Sequence, residues 1–214
     1  MSYKFDIDRP IRHLQRHDLL AKLPPYISRF LGYRDPSEPH KGDTAIHDTV
    51  LIVWIFFSTF IGVLIPGMVF HFHTIFSDHN APLLIASFGA SAILLFNAIE
   101  IPVSQPRNFI CSHLIGCIVG ISLRQLFWMT DNPNDYVWIA CAIACSVCSL
   151  VMYVTKTIHP PGGATALLPL VDEQIGEMTW FFIPVVLTSL AIMLGTALVL
   201  NNFRRRYPVF WWFP

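Results

Sequence analysis

The densest chemistry in this chain lies in His159-Pro160-Pro161-Gly162-Gly163-Ala164-Thr165-Ala166-Leu167-Leu168-Pro169. The prolines fix φ and remove backbone donors, and the glycines permit close approach. Good helix formers follow, so the segment reads as extended backbone, tight turn and helix N-terminus, with prolines in the first turn. Such a start offers bare N–H groups and a positive dipole end, which together suit an anion. A surface loop between membrane helices is the plainer reading of the same residues. A second segment matches it: Gly89-Ala90-Ser91-Ala92-Ile93-Leu94 aligns with Gly163-Ala164-Thr165-Ala166-Leu167-Leu168, allowing Ser/Thr and Ile/Leu exchange. The substrate-binding candidates are therefore Ser87, Gly89, Ser91, His159, Pro160, Pro161, Gly162, Gly163 and Thr165. Accessory or gating roles fall to Glu100, Arg107, Asn108, His113, Arg124 and Lys156. A histidine ordinarily titrates near neutral pH, which would suit His159 to coupling proton and anion movement; capping the turn is its structural alternative.

Two other clusters invite a metal. Cys141, Cys145 and Cys148 share one helix face by spacing, and His71, His73, Asp78 and His79 share one connection. No histidine or carboxylate accompanies the thiols, so helix packing by small residues is the preferred account. His71 and His73 have the spacing of an extended segment, and an exposed polar loop is preferred there. No metal, cofactor or disulfide is expected.

The elements that must position these residues are membrane helices. Of 214 residues 54% are hydrophobic and 13% charged, about half the charge of a soluble domain. Zero net charge argues against nucleic acid as a partner. Apolar runs at 49–69, 82–99, 109–128, 136–154 and 179–200 approach or reach the roughly 20 residues that cross a bilayer. Residues 1–47 read as a basic amphipathic arm that Pro24-Pro25 interrupts, with no cleavable signal peptide. Residues 204–214 form a basic-aromatic tail. Lys and Arg crowd the arm, Arg107, Lys156 and Arg204 to Arg206, whereas the connections 70–81, 129–135 and 171–178 contain none. If 159–171 crosses, every basic connection falls on one side, so both termini are cytoplasmic and the chain sits in the plasma (cell inner) membrane. Arg124 alone breaks the pattern, snorkelling at the outer interface or lining a substrate path.

Weaker echoes (Val53-Trp54-Ile55 with Val137-Trp138-Ile139, Gly120-Ile121-Ser122-Leu123 with Gly195-Thr196-Ala197-Leu198) lie in the same order as the main match. The fold expected is all-α: a polytopic bundle of five to six spans, built from inverted three-span repeats at 48–128 and 136–203. Short or broken helices at 82–99 and 159–171 would bring their N-termini face to face. Small residues there also allow tight helix contact without any site.

His159 to Leu167 resembles the signature of the HPP family of integral membrane proteins. Ser87 to Ala92, Gln105-Pro106-Arg107-Asn108, Asn201-Asn202 and Arg206-Tyr207-Pro208 are similar to its other patterns, and the resemblance spans residues 48–209. It implies a small membrane protein of four or five spans with a transport role, and nitrite as cargo, as for chloroplast and cyanobacterial members. The expectation is a transporter or channel-like facilitator for a small inorganic anion, not an enzyme. The partners are the lipid bilayer and that anion, and a homo-oligomer is compatible with the composition. A membrane scaffold or a membrane-embedded enzyme are the alternatives.

Overall fold

The computed structural model describes residues 20–34 and 47–212, and every regular element among them is helical. In order these are α1 (Pro25–Phe30), α2 (Asp48–Phe72), α3 (Thr74–Asp78), α4 (Ala86–Phe96), α5 (Pro106–Phe127), α6 (Val137–Thr155), α7 (Pro160–Val171), α8 (Glu173–Glu177) and α9 (Phe182–Arg204). Single 3₁₀ turns at Pro102–Ser104, Pro133–Tyr136 and Thr179–Phe181 lead into α5, α6 and α9.

Four helices, α2, α5, α6 with its leading turn, and α9, are long and apolar enough to cross a membrane. Their 22 to 26 residues give about 33–39 Å at 1.5 Å per residue, against a hydrocarbon core of about 30 Å. The helix in the expected second span is shorter than 82–99: α4 has 11 residues. Pro82 to Ile85 precede it as non-helical backbone. Arg205 ends it from outside, donating to the Phe96 carbonyl at 2.7 Å and the Asn97 carbonyl at 2.9 Å. α7 has 12 residues and fills the expected 159–171 segment.

Contacts at the helix ends fix the course of the chain. One end gathers the starts of α2, α5 and α7 with the ends of α4, α6 and α9. There Arg204 lies over Trp54, Asn201 donates to the Leu95 carbonyl, and Arg107 donates to that of Thr155. At the other end Arg124 donates to the Pro169 carbonyl, Gln174 to that of Asn80, and His79 stacks on Phe181. Six helices thus alternate in direction between a basic end (Arg29, Arg34, Arg107, Lys156, Arg204 to Arg206) and an acidic end (Asp131, Asp135, Asp172, Glu173, Glu177).

Packing pairs are α5 with α6, α7 and α9; α7 with α4 and α6; and α2 with α4 and α9, which also touches α4. Exchanging α2 with α6, α4 with α7 and α5 with α9 maps this set of pairs onto itself. Burial follows the same exchange. Only 17% and 22% of the apolar stretches of α2 and α6 are buried, against 39% in both α5 and α9. The outer pair turns Phe56, Phe60, Trp138 and Leu150 outward, the inverse of a soluble core and the surface lipid requires.

Pro24-Pro25 does more than interrupt a helix, because Pro25 opens α1 at a first-turn position. Residues 1–19 and 35–46 of the arm lie outside the described residues. The tail is not a free appendage. Residues 205–212 fold across the basic end, where Tyr207 is fully buried and donates to the Ser104 carbonyl at 2.8 Å. Gln105 accepts from the Val209 amide at 2.9 Å, and Trp211 donates to the Leu31 carbonyl at 2.9 Å.

Candidate functional site

The tightest seam in the bundle joins α5 to α7, and glycine makes it. A Cβ on Gly116 would lie 2.3 Å from the Gly162 carbonyl oxygen, and one on Gly120 would lie 2.4 Å from that of Ala166. A Cβ on Gly162 would meet the Ser112 backbone at 2.6 Å. Ser112, Gly116 and Gly120 thus form a small-residue row at four-residue spacing, the pattern that lets membrane helices approach backbone to backbone.

That approach brings His113, one position from the row, to Thr165. His113 Nδ1 and Thr165 Oγ1 are 2.7 Å apart, and Thr165 Oγ1 is also 2.8 Å from Ser87 Oγ on α4. Ser91, one helical turn beyond Ser87, joins the two imidazoles: its Oγ is 2.8 Å from His113 Nε2 and 2.9 Å from His159 Nε2. His159 Nδ1 is 2.7 Å from the Val103 carbonyl in the turn before α5. Ser91, His113, His159 and Thr165 are all 0% exposed. Phe109 lies edge-on to both rings, with centroids at 5.5 Å, and the rings are 5.3 Å apart. The result is a continuous buried chain of hydroxyls and imidazoles, Ser87–Thr165–His113–Ser91–His159, drawn from α4, α5 and α7.

His159 reaches its place through the end of α6. Lys156 there adopts a left-handed conformation (φ 55°), and the Thr157 amide donates back to the Met152 carbonyl at 2.9 Å. This reversal turns the chain inward and delivers Thr157 and His159 into the protein while Lys156 stays exposed.

Five of the sequence-predicted residues therefore meet: Ser87, Ser91, His113, Thr165 and His159. Pro161 joins them through its carbonyl, 3.2 Å from Thr165 Oγ1, and Gly162 shapes the seam. Gly89 does not belong, being exposed with nothing within 4 Å of a built Cβ. It lies about 200° around α4 from Ser87, whereas Ser91 returns to the same face. Pro160 is exposed, and Gly163 is half-buried beside open space. The helix starts do not meet face to face. α4 and α7 lie side by side, the start of each beside the second turn of the other, as the Ser87–Thr165 and Ser91–His159 bonds require. Nor does α7 present bare amides, since Pro160 and Pro161 have none and Gly162 already donates to the His159 carbonyl at 3.0 Å. Side chains, not helix amides, supply the donors.

The accessory residues divide by end. Arg107 is buried at the basic end, donating to the Thr155 and Trp212 carbonyls with Trp212 under its guanidinium, and Asn108 donates to Ile158. Glu100 and Lys156 are exposed near them. Arg124 stands at the acidic end, packed 4.2 Å over the Trp128 ring and bonded to Pro169. It borders a cavity of about 190 Å³ also lined by Ile121, Gln125 and Gly176, and its guanidinium is held there by protein groups.

Among the described residues no group of three His, Cys, Asp or Glu side chains comes close enough to hold a metal ion. His79 stacks on Phe181 at 4.0 Å, and the thiols on α6 split, Cys148 buried against α7 and Cys145 exposed. Residues missed from the sequence are the Gly116–Gly120 pair, whose spacing in an apolar helix was a readable signal, and the Val103 carbonyl, which no side chain announces.

With its described residues all helical or connecting, four membrane-length apolar helices among them, an apolar outward surface and a buried polar core, the chain is a multi-pass membrane protein. Residues 45–208 match the HPP transmembrane region, and the chain belongs to that family. It is 39% identical over 165 residues to a transmembrane protein of Dictyostelium discoideum, covering 75% of this chain and 51% of that one. A second transmembrane protein of the same organism is 35% identical over 191 residues, 87% of this chain and 63% of its own length. The chain thus spans between half and two thirds of these relatives. No solved structure matches it.

Proposed function

We propose that this protein carries a small inorganic anion, nitrite first among them, across the plasma membrane, and that the hydroxyl–imidazole chain is where the anion is held. One observation carries the reading: the buried cluster converges hydroxyl and imidazole groups from α4, α5 and α7 and contains no carboxylate. A desolvated cation would need carboxylates or a ring of carbonyls, whereas an anion needs several N–H and O–H donors without a permanent buried counter-charge. Arg107 and Asn108 at the basic end, and Arg124 beside the cavity at the acidic end, place donors at both approaches.

The six alternating helices support six crossings, α4 and α7 completing theirs through the non-helical residues that flank them. The packing pattern that survives exchange of the two sets of three helices supports an inverted repeat, and alternating access follows from rocking one set on the other. The positive-inside rule puts the basic end and both termini in the cytoplasm.

Counterflow into vesicles containing the purified protein tests this. Nitrite trapped inside should drive uptake of labelled nitrite well above protein-free vesicles, and His159→Ala should abolish it. Failure of nitrite, nitrate, formate and chloride alike to exchange above protein-free vesicles would overturn the reading.

A further inference from the structure

The geometry points to a proton relay: we propose that Ser87, Thr165, His113, Ser91 and His159 pass a proton along their hydrogen bonds, so that one proton moves with each anion. The proposal rests on the reading of this cluster as the anion site.

The direction of every bond follows from one backbone group. The Val103 carbonyl only accepts, so His159 Nδ1 carries a hydrogen and donates across 2.7 Å. In the neutral ring Nε2 is then an acceptor, and Ser91 donates to it across 2.9 Å. The Ser91 oxygen accepts in turn from His113 Nε2–H at 2.8 Å. His113 Nδ1 is left to accept from Thr165 at 2.7 Å, and Thr165 accepts from Ser87 at 2.8 Å. The resting chain therefore points one way, from Ser87 in the first turn of α4 to His159 near the basic end.

A proton delivered to Ser87 Oγ displaces that residue's own hydrogen to Thr165. The Thr165 hydrogen moves to His113 Nδ1, that of His113 Nε2 to Ser91, and that of Ser91 to His159 Nε2. One proton has entered, the charge rests on His159, and every bond between Thr165 and His159 now points the other way. The reversed chain needs an acceptor for the Thr165 hydroxyl, and the Pro161 carbonyl stands 3.2 Å away. Both polarities are thus satisfied by groups already in place, with a carbonyl stop at each end. Release follows when the Val103 turn draws back and water takes the Nδ1 proton of His159. Each imidazole is then left as the opposite tautomer, and the chain resets when each ring gives its remaining proton to water, takes one back at its other nitrogen, and the hydroxyls rotate.

The groups that face the imidazoles suit this role. Phe88 and Phe109 enclose them edge-on, and the titratable group beside each ring is the other, at 5.3 Å. Arg107, the nearest cation in sequence on α5, turns its guanidinium to the Thr155 and Trp212 carbonyls, and Lys156 is exposed. Two imidazolium charges so close repel, so the pair takes one added proton at a time.

The test counts protons in vesicles that hold the purified chain and an internal pH dye, with the membrane potential clamped at zero. Nitrate, which has no membrane-permeant acid form at neutral pH, is imposed as an inward gradient beside nitrite. Equal inward fluxes of anion and proton are expected. Ser91→Ala, which cuts the chain between the imidazoles, should lower proton flux at least tenfold, and Ser91→Thr should restore it. Anion entry with no acidification beyond protein-free vesicles overturns the relay and leaves the anion reading intact. Proton flux without anion flux keeps the hydrogen-bonded path but overturns its one-to-one coupling, and the anion reading with it. If neither moves, both fall.

Discussion

Gly116→Ala puts the seam between α5 and α7 to a quantitative test. The added Cβ would lie 2.3 Å from the Gly162 carbonyl oxygen and 3.2 Å from the Ala166 nitrogen, where ordinary contact begins at 3.4 Å. Both neighbours are backbone, so no side chain can swing aside. α7 must withdraw by about 3.4 − 2.3 = 1.1 Å. Taken along the His113–Thr165 bond of 2.7 Å, that movement stretches it to about 3.8 Å, beyond the roughly 3.2 Å at which such bonds end. Overpacking costs about 1–3 kcal/mol, and a lost interhelical hydrogen bond in a membrane protein costs about 0.6 kcal/mol more. The total of about 2–4 kcal/mol lowers the folded-to-unfolded ratio by roughly 30- to 700-fold.

Denaturant titration and thermal melting in detergent read the stability, and anion counterflow reads the site. Gly195→Ala supplies the contrast, because nothing lies within 4 Å of its built Cβ. In a helix interior that change should be neutral or stabilising by up to about 1 kcal/mol. The two variants should move in opposite directions. Should Gly116→Ala melt with Gly195→Ala and keep wild-type flux, the close approach of α5 and α7, and the positioning of Thr165 by it, would both be refuted.

Thr165→Val, equal in shape but without the hydroxyl, leaves Ser87 and His113 each short of a partner. It should cost about 1–3 kcal/mol and stop counterflow, whereas Thr165→Ser should cost under about 1 kcal/mol and retain it. Lys156→Gly relieves a left-handed residue and should raise unfolding stability by up to about 1 kcal/mol, read by the same titration. Tyr207→Phe removes the donor to the Ser104 carbonyl and should cost about 1–2 kcal/mol at neutral pH. Burial raises the Tyr207 phenol above its ordinary 10.0. Its contribution is therefore full below that pH and is lost as pH climbs beyond it, so melting curves of wild type and Tyr207→Phe should converge in alkali.

What could be read from the sequence follows from where each signal lives. The long apolar runs fixed four helices to within a few residues, because hydrocarbon leaves the backbone few alternatives. His113, Thr165, Ser87, Ser91 and His159 could be singled out since polar side chains in such runs need a reason. Their partners could not, because Val103 and Pro161 act through carbonyls that every residue possesses. Gly89 and Gly163 lie apart from the cluster, each beside open space, because a match in order takes in every residue of a motif whichever face of the helix it occupies. The bare amides expected at the start of α7 failed for a reason written in the same motif: diproline removes the donors that a helix start would otherwise offer. Residues 205–212 read as a tail because only long-range partners, Gln105, Ser104 and Leu31, hold them against the basic end.

The placement of the polar bonds bears on how such a bundle would work. Of the links in the chain, Ser91–His113 lies within the first three helices. Val103–His159, Ser91–His159, His113–Thr165 and Ser87–Thr165 all join the first three to the last three. Rocking one set on the other would break those four together, at a cost near 4 × 0.6, or about 2.4 kcal/mol, on the scale measured for interhelical hydrogen bonds in membranes. Arg107–Thr155, Asn108–Ile158 and Arg124–Pro169 cross the same divide, so the four bonds at the site set only its own share of the cost. An anion accepting from Thr165, His113 and Ser91 would replace some of those bonds as the sets part. A proton on His159 would reverse two of them, Ser91–His159 and His113–Thr165. Under the proposed function, cargo and proton would therefore share the Ser91–His159 and His113–Thr165 bonds, and that shared dependence makes coupling between them the expected behaviour.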